Sequence, residues 1–292
     1  AINCGIVGLP NVGKSTLTNA FVGEKVAIVT NKPQTTRNRI CAILNRGESQ
    51  FVFVDTPGLH RARTRLGDYM VNVVKESVSD VDAVLLLVEP IANIGAPEQE
   101  LIDRIKKLGC PAVLVINKVD TLEKKETLLE VISVYQQAHD FNAVVPISAK
   151  NNEGVEELLA LLEHYLAQGP QLFPDGMTSD QPERQVMGEL LREKLLLCLD
   201  KEIPHGTAVA IERFKEREDG DILDIEATIY CEKESHKGII IGKNGAMLKR
   251  ISTRARLDME KFFGCKVNLK CWVKVKEDWR NREGLIHNFG LD

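Results

Sequence analysis

Short apolar runs alternate with longer amphipathic stretches in the first half of the chain. Runs of this length, rich in β-branched residues and without polar alternation, are typical of strands buried on both faces of a parallel sheet. Residues 98–108 and 155–166 carry apolar positions at helical spacing, which indicates crossover helices. The pattern predicts a doubly wound, mostly parallel α/β domain. Its strands are expected at residues 2–7, 51–54, 83–88, 112–116 and 143–147.

The pattern changes in a polar segment that contains two glycines and two prolines between residues 169 and 176. Such a segment interrupts the periodicity and indicates a linker. The remaining pattern predicts a small α+β domain, with helices at 183–199 and 246–263 and strands at 207–214, 222–231 and 266–275. We therefore expect a first domain at residues 1–172, a linker at 173–182 and a second domain at 183–292.

The composition is that of a globular protein with an uneven distribution of charge. The 292 residues, 43% of them hydrophobic, suffice for two domains. No window approaches the roughly 18 apolar residues of a membrane span, and no signal-like segment precedes the first strand, so we expect a cytoplasmic protein. The formal net charge is −4, yet residues 233–282 hold 14 Lys and Arg against five Asp and Glu. This basic block suggests a polyanionic partner.

The seven cysteines are scattered, and none is part of a Cys-x-x-Cys pair. A zinc site or a disulfide framework would need closer grouping. We therefore expect reduced and mostly buried thiols rather than either of these sites.

A glycine-bearing segment, Gly8-Leu9-Pro10-Asn11-Val12-Gly13-Lys14-Ser15, joins the first strand to a helix at 16–21. Its glycines let successive backbone N–H groups turn toward the phosphates of a nucleotide, and the helix N-terminus adds positive potential. Lys14 would bridge the β- and γ-phosphates, and the Ser15 hydroxyl would bind Mg²⁺. The segment predicts a P-loop. Its nucleotide contacts are expected from Gly8, Pro10, Asn11, Val12, Gly13, Lys14, Ser15 and Thr16.

The second run ends in Asp55-Thr56-Pro57-Gly58. An Asp at this place can hold a water ligand of Mg²⁺, and the Gly58 N–H can contact the γ-phosphate. Thr36, in the polar loop at 33–37, is our choice for a residue that contacts both Mg²⁺ and the γ-phosphate when GTP is bound. A plain solvated loop fits this segment equally well. The candidate catalytic residues are thus Lys14, Thr36, Asp55 and Gly58. The metal ligands are Ser15, Thr36 and, through water, Asp55.

Leu59 stands where many GTPases carry a glutamine that orients the attacking water. Because an aliphatic side chain cannot polarise water, we expect slow hydrolysis unless another group or a partner places the nucleophile.

Two further motifs select the base. Asn117-Lys118-Val119-Asp120 follows the strand at 112–116, and Ser148-Ala149-Lys150 follows the last strand of the first half. The Asp120 carboxylate can accept hydrogen bonds from N1–H and the exocyclic amine of guanine, whereas adenine would leave it unpaired. Sites built this way reject the analogue by about 10⁴–10⁵. Ser-Ala-Lys alone would be an ordinary capping loop, but four motifs in order at strand ends predict a guanine nucleotide.

A Gly-x-x-Gly turn occurs in the basic block, between an isoleucine-rich run and a basic helix. Such a turn lets a nucleic-acid backbone approach closely, with Lys243 meeting phosphate. A tight turn without further function is the alternative, but the surrounding charge favours RNA. Trp272 and Trp279 are expected to be packing residues. The candidate RNA-binding residues are Gly238, Ile241, Gly242, Lys243, Asn244, Gly245, Lys249 and Arg250.

These motifs together resemble the Era family of bacterial ribosome-assembly GTPases over nearly the whole chain. Particular signs are Gln34-Thr35-Thr36-Arg37, the Phe173-Pro174 linker and the closing Trp272-Val273-Lys274-Val275-Lys276. The resemblance implies a type II KH domain, binding to the 3′ end of 16S rRNA and the 30S precursor, and peripheral association with the inner membrane. It also implies that a hydrophobic residue at position 59 is normal. Asn11 matches the P-loop asparagine that related GTPases use to hold K⁺, so potassium stimulation is a hypothesis.

Three functions remain open from the sequence. The main one is a monomeric, GTP-hydrolysing switch that uses GTP, GDP and Mg²⁺, binds 16S rRNA and acts in assembly of the 30S subunit. The second is a non-hydrolysing, nucleotide-stabilised RNA-binding adaptor, slightly favoured by Leu59. The third is a membrane-associated or stress-signalling GTPase whose KH fold serves protein contacts.

Overall fold

The structure, a computed structural model, describes residues 2–9, 11–29, 37, 40–55, 81–166, 171–201, 203–218 and 220–288. In this part the chain divides into two compact units, which part between Asp180 and Gln181. None of the described helices is both long and apolar enough to cross a membrane.

The first unit is built on a six-stranded sheet with the order β2-β3-β1-β4-β5-β6. All neighbouring strands are parallel except β2, which runs antiparallel to β3. The predicted doubly wound, mostly parallel α/β domain is therefore confirmed. The strands are β1 (Ile2–Val7), β2 (Ile40–Arg46), β3 (Ser49–Asp55), β4 (Ala83–Val88), β5 (Ala112–Ile116) and β6 (Ala143–Pro146). The helices are α1 (Lys14–Val22), α2 (Ala96–Leu108), α3 (Lys125–Ala138) and α4 (Val155–Leu162).

Helices cover both faces of this sheet because β4 and β5 are apolar at every position. In β4, Leu85 and Leu87 belong to one core cluster, with residues of α1 and α4. The alternate residues of β4, such as Leu86, belong to a second cluster with residues of α2 and α3. Since successive side chains of a strand point to opposite faces, a strand without polar positions must be covered twice.

The sequence pattern did not predict β2 or α3. β2 is buried at its start but exposed at Asn45 and Arg46, as suits an edge strand with a polar end. α3 packs Leu128, Val131, Ile132 and Tyr135 on the second core cluster, at the i, i+3, i+4, i+7 spacing of an amphipathic helix. β2 begins with five consecutive apolar residues, 40–44, so both elements carry a signal in the sequence that the prediction overlooked.

Residues 171–180, most of which were assigned to a linker, bond to the first unit. The buried Gln50 side chain accepts hydrogen bonds from the backbone N–H groups of Leu172 and Phe173, at 3.0 and 3.1 Å. Ile43 N–H donates to the Thr178 carbonyl at 2.9 Å. The segment thus supplies acceptors to the otherwise open edge of β2. The domain limits at 172 and 183 stay a prediction.

The second unit is a three-stranded sheet with the order β7-β8-β9, antiparallel between β7 and β8 and parallel between β8 and β9. Three helices, α5, α6 and α7, contribute to a core that contains Leu191, Ile225, Ile240, Ile251 and Val273. The element order, α5-β7-β8-α6-α7-β9, agrees with the type II KH fold implied by the resemblance. The bounds are α5 (Glu183–Cys198), β7 (Ala208–Glu216), β8 (Ile222–Cys231), α6 (Glu234–Ile241), α7 (Ala246–Phe263), β9 (Lys266–Val275) and α8 (Glu283–Asn288).

The two tryptophans of the chain have opposite environments. Trp279 is fully buried, and its indole N–H donates to the Gly206 carbonyl at 2.8 Å. The expectation of a packing residue is confirmed there. Trp272, in contrast, is 47% exposed on β9, so the same expectation is wrong for it. The reason is strand alternation, because Trp272 lies on the face of β9 opposite to the buried Val267 and Val273.

Candidate functional site

The predicted P-loop turns the chain from β1 into α1 through two left-handed residues, Asn11 (φ 65°) and Gly13 (φ 99°). Asparagine tolerates this conformation better than most residues, and glycine has no penalty. Gly13 has a second reason to be glycine, because a Cβ there would stand 2.1 Å from Nδ2 of Asn117. A Cβ on Gly8 would stand 2.7 Å from the Leu87 carbonyl oxygen. The loop is therefore packed directly on the ends of neighbouring strands.

Lys14 is buried at the first residue of α1. Its Nζ donates to the Leu9 carbonyl at 2.8 Å and lies 3.4 Å from that of Gly8. Burial lowers the pKa of Lys14 to about 8, and the negative charge of Asp55 opposes the shift. Since a buried ammonium group is stabilised by a nearby anion, this environment fits a bound phosphate.

Ser15 and Asp55 meet beside Lys14. The Ser15 hydroxyl donates to Oδ2 of Asp55 at 2.7 Å, and Asp55 is fully buried at the end of β3. Hydroxyl and carboxylate oxygens are the ligands that Mg²⁺ prefers in proteins. The donor set therefore fits the predicted magnesium site. Thr16 follows in the first turn of the same helix.

Asn117 ties three loops together at the carboxyl edge of the sheet. Its Nδ2 donates to the Val12 carbonyl at 2.8 Å, and its Oδ1 accepts from the Ala149 N–H at 3.0 Å. The side chain is only 3% exposed. One buried amide thus holds the P-loop and both predicted base-binding loops in one arrangement.

The predicted base contacts are held by further bonds. The Ser148 hydroxyl donates to Oδ1 of Asp120 at 2.8 Å, which orients a carboxylate that stays exposed. Lys118 Nζ donates to the Asn11 carbonyl, so its stem runs along the P-loop. Lys150 is exposed beside them. The structure therefore brings the phosphate motif and the base motifs to the same edge of the sheet.

Glu89 was missed by the sequence analysis. Its Oε1 accepts from Lys118 Nζ at 2.7 Å, so it helps to fix the lysine that also bonds to the P-loop. The position of Glu89 in the sequence could have indicated this role. Glu89 directly follows the buried strand β4 and thus lies at the sheet edge where the other motifs are found.

Some predicted residues lie outside the described part of the chain. These are Pro10 of the P-loop, Thr36, Gly58 and Leu59. Their roles stay predictions.

The predicted RNA-binding turn lies between α6 and α7. Gly242 has φ 75° and ψ 176°, a conformation essentially restricted to glycine. A Cβ there would stand 2.7 Å from Cβ of Met247 and 2.9 Å from its backbone nitrogen. Asn244 and Gly245 are both left-handed, with φ 54° and 74°. The chain therefore turns tightly enough to leave its backbone open to a ligand.

The basic residues around this turn are accessible. Lys243 and Asn244 are exposed at its tip, and Lys249 and Arg250 are exposed in the first turns of α7. Gly238 and Ile241, which were also predicted to bind RNA, precede the turn and lie in the helix α6, where the sequence indicated only an isoleucine-rich run. The preceding isoleucines are helical because Ile240 is buried in the core of the second unit, which an isolated turn would not allow.

Comparison with known proteins agrees with both halves of this description. Residues 3–118 match the family described as "50S ribosome-binding GTPase", and residues 202–280 match the KH domain family. The chain is 49% identical to GTPase Era of Clostridioides difficile, over 98% of this chain and 97% of that protein. It is 48% identical to GTPase Era of Ruminiclostridium cellulolyticum, over 98% and 95%.

Two solved structures are similar over almost the full length. One is Era in complex with MgGDPNP and nucleotides 1506–1542 of 16S ribosomal RNA, with a TM-score of 0.95 and 36% identity over 99% of this chain and 98% of that one. The other is an Aquifex aeolicus Era variant bound to GDP and AlF4⁻, with the same TM-score, identity and coverage.

Proposed function

This chain belongs to the Era family of GTPases, and on that basis we propose that it is a GTP-hydrolysing switch that binds 16S rRNA near its 3′ end and acts in assembly of the 30S ribosomal subunit. GTP, GDP and Mg²⁺ are its ligands. The observation that carries the proposal is the Asn117 amide, which joins the P-loop to both base loops. A guanine nucleotide is bound by its phosphates at one end and by its base at the other. The loops that bind these two ends must therefore be held at a fixed distance, and Asn117 holds them.

In the proposed site, the Lys14 ammonium and the P-loop N–H groups hold the β- and γ-phosphates. Ser15, Thr36 and, through water, Asp55 would hold Mg²⁺, which neutralises phosphate charge when it is bound. As water attacks the γ-phosphorus and the bond to the β-phosphate oxygen breaks, Lys14 and the Gly58 N–H stabilise the charge that develops on the oxygens. Because Leu59 cannot orient the water, turnover is slow.

The guanine base is read by Asp120, whose carboxylate is oriented by Ser148. Lys118 covers the base plane, and the backbone around Ala149 and Lys150 faces O6. Replacing Asp120 by Asn should shift preference from GTP toward xanthosine triphosphate, because the new amide matches the changed donor pattern of that base. Competition of both nucleotides against fluorescent GDP measures the shift. Unchanged GTP affinity would mean that Asp120 does not read the base.

Phosphate release tests hydrolysis directly. Lys14→Ala should abolish GTP turnover, because the main phosphate cation is removed, whereas Lys107→Ala, a change of an exposed lysine on α2, should leave it intact. Absence of turnover in the unmodified protein would instead favour the non-hydrolysing adaptor.

The RNA half of the proposal rests on the turn from Gly242 to Gly245, which grips the RNA backbone, with Lys249 and Arg250 beside it. A switch further requires that GTP changes the affinity for RNA, because a ligand shifts an equilibrium only by its differential affinity for the two states. Binding of the RNA fragment 1506–1542 should therefore differ between the GDP form and a non-hydrolysable GTP form. Equal affinities would show that nucleotide binding and RNA binding are not coupled.

We also propose a cytoplasmic, monomeric protein, because subunit assembly takes place in the cytoplasm, with peripheral association at the inner membrane.

K⁺ held by Asn11 would add to the cationic charge near the phosphates. Initial rates of hydrolysis in KCl and NaCl at equal ionic strength test this idea, and equal rates would reject it.

A further inference from the structure

The face of β9 that points away from the helices carries an unusual combination of side chains. Val267, Leu269, Cys271 and Val273 belong to the helix-covered core, so the alternate residues lie on the opposite face. We call this the outer face of β9. Its residues are Lys266, Asn268, Lys270, Trp272 and Lys274.

Trp272 is the central residue of this face and is 47% exposed. Lys270 and Lys274 lie two residues away on either side, about 7 Å along the strand. Both lysines are exposed, and within the described part of the chain neither forms an ion pair. This arrangement presents an exposed ring and two positive charges on the same face of the strand.

The neighbouring strands do not cancel this charge. By strand register, Asp224 and Glu226 of β8 share the face, together with Arg213 and Lys215 of β7. Asp224 accepts from the Arg217 guanidinium at 2.8 and 2.9 Å and from Asn268 at 2.9 Å, and the pKa of its carboxyl is held well below the usual range by these bonds. Its charge is therefore already balanced. Glu226 is the register partner of Lys270, but its ion pair in the described part of the chain is with Arg213 of β7, at 3.9 Å. Lys274 has Tyr230 as its register partner, so the lysines of β9 remain available to an anion.

A second aromatic side chain lies close by. Lys274 is the register partner of Tyr230, and Trp272 is that of Thr228, so Tyr230 stands diagonally next to the tryptophan on the same face. Aromatic side chains on an open sheet face are the means by which sheet-based RNA-binding modules stack unpaired bases. Interfaces with other proteins are depleted of lysine at their centres, which argues against a protein partner here.

We propose that the outer face of β9 is a second RNA-contact surface, on which Trp272 stacks an unpaired base while Lys270 and Lys274 bind the flanking phosphates. It is distinct from the turn at Gly242, because α6 and α7, which carry that turn, pack on the other face of the sheet. The RNA reaches it around β9, which is an edge strand of the sheet. This inference rests on the proposed RNA-binding function and extends it.

Intrinsic fluorescence gives a direct test, because the chain has only two tryptophans. The RNA fragment 1506–1542 of 16S rRNA, added in excess, should quench the exposed Trp272 and leave the buried Trp279 unchanged. In Trp272→Phe, which keeps a stacking ring, binding should persist while the quenching disappears. Equal quenching in both proteins, or none in the unmodified one, would overturn the proposal.

Affinity for the same RNA gives a second test. Trp272→Ala should weaken binding about 5-fold or more, the lower end of what loss of one stacked base costs, and Trp272→Phe should stay within about twofold. The matched control is Phe262→Ala, which removes a ring that is 40% exposed at the far end of α7 and should have no effect. Equal losses in Trp272→Ala and Phe262→Ala would contradict the proposal.

The lysines are tested by salt dependence. Each phosphate contact to single-stranded RNA contributes about 0.7 to the slope of log affinity against log salt. The double variant Lys270→Ala, Lys274→Ala should therefore lose about 1.4 from the slope, whereas the control pair Lys107→Ala, Lys261→Ala should lose none. An unchanged slope in the β9 variant would show that these lysines do not meet phosphate.

One comparison separates failure of this inference from failure of the proposed function. Gly242→Asp should weaken binding of the fragment 1506–1542 whether or not the second surface exists. Trp272→Ala should weaken it only if the second surface exists. If Gly242→Asp is harmful and Trp272→Ala is harmless, the second surface is wrong and the RNA function stands. If both changes are harmless, the RNA function itself is wrong.

Discussion

The two candidate sites are built in opposite ways. At the nucleotide site, buried side chains bond to groups of other loops. Asn117 joins the P-loop to the loop of Ala149, and Asp55 accepts from Ser15. At the RNA turn, the residues are consecutive, and Lys243, Lys249 and Arg250 are exposed. The first site depends on a buried polar network, and the second depends on backbone shape with exposed charges around it.

This difference should govern how each site responds to change. A buried polar group that loses its partner costs about 1–3 kcal/mol, because it cannot turn to water instead. At an exposed site, a charged group that loses its partner is hydrated by water instead. Removal of an exposed lysine should therefore cause a smaller and salt-dependent loss of affinity. Single changes should therefore be severe at the nucleotide site and mild at the RNA turn, except where backbone shape is altered.

The largest effect is expected from Gly13→Ala. The new Cβ would stand 2.1 Å from the Asn117 amide nitrogen, in a left-handed conformation, and would push that amide off Val12 and Ala149. Affinity for GDP should fall about 100-fold or more, equivalent to roughly 3 kcal/mol. Titration with fluorescent GDP measures the loss. Gly23→Ala is the matched control, since Gly23 has φ 80° and open space around it, and normal GDP affinity in both variants would refute the buried polar network.

The next effect is expected from Gly242→Ala, which tests backbone shape in the second unit. Its Cβ would collide with Met247 at 2.7 Å, so the turn must open. RNA affinity should fall about 30-fold, against about 5-fold for Gly245→Ala, where the left-handed conformation alone costs roughly 1 kcal/mol. Gel-shift or anisotropy titrations measure both. Similar losses at the two glycines would mean that flexibility, not the shape at Gly242, determines binding.

The buried position of Lys14 predicts a pH dependence that the exposed lysines should lack. Burial lowers the pKa of Lys14 to about 8, and a bound phosphate should raise it again. Nucleotide binding should therefore take up close to one proton at about pH 9 and very little at pH 7, with affinity falling up to about tenfold per pH unit above pH 8. Calorimetry in two buffers of different ionisation enthalpy measures the uptake. Uptake that is equal at pH 7 and 9 would contradict the prediction.

The same shift has a consequence for the nucleotide-free protein. The unfolded chain keeps the pKa of Lys14 near 10.5, above its folded value of about 8. Between these two values the unfolded state binds more protons, so the contribution of Lys14 to the free energy of unfolding should rise with pH. Bound nucleotide should remove this rise. Denaturant unfolding at pH 8 and 10, with and without GDP, checks both statements.

The smallest effect is expected from Glu89→Gln, because its ion pair with Lys118 is about one-third exposed. Loss of such a pair costs up to about 1 kcal/mol, so GDP release should become about 2- to 5-fold faster. Stopped-flow displacement of fluorescent GDP measures the rate. Glu100→Gln is the control, since it removes a pair with Arg104 on α2, and equal rates in both variants would show that Glu89 does not position Lys118.

The sequence alone was enough to predict most of the strands, the parallel sheet and the loops that meet at its edge. The reason is that buried parallel strands need continuous apolar runs, and parallel strands must end at the same edge. The glycine turn at Gly242 could also be predicted, because its residues are consecutive. β2 and α6 were missed for different reasons. β2 begins with an apolar run as long as β5, which was overlooked, whereas α6 has only eight residues and is too short to show helical periodicity.

Only the tertiary structure decided which side chains bond to one another and which stay exposed. Asn117 and Val12 are 105 residues apart, and their contact depends on the strand order, which places β1 beside β4 and β4 beside β5. The ion pair between Lys118 and Glu89 depends on the same strand order, because the two residues follow the neighbouring strands β5 and β4. Trp272 and Trp279 look alike in the sequence, but one is half exposed and the other buried. Trp272 is exposed because it lies on the face of β9 that the helices do not cover, and a local pattern shows alternation without saying which face that is. Trp279 lies beyond β9 and is buried where its indole N–H bonds to the Gly206 carbonyl, 73 residues away in the sequence.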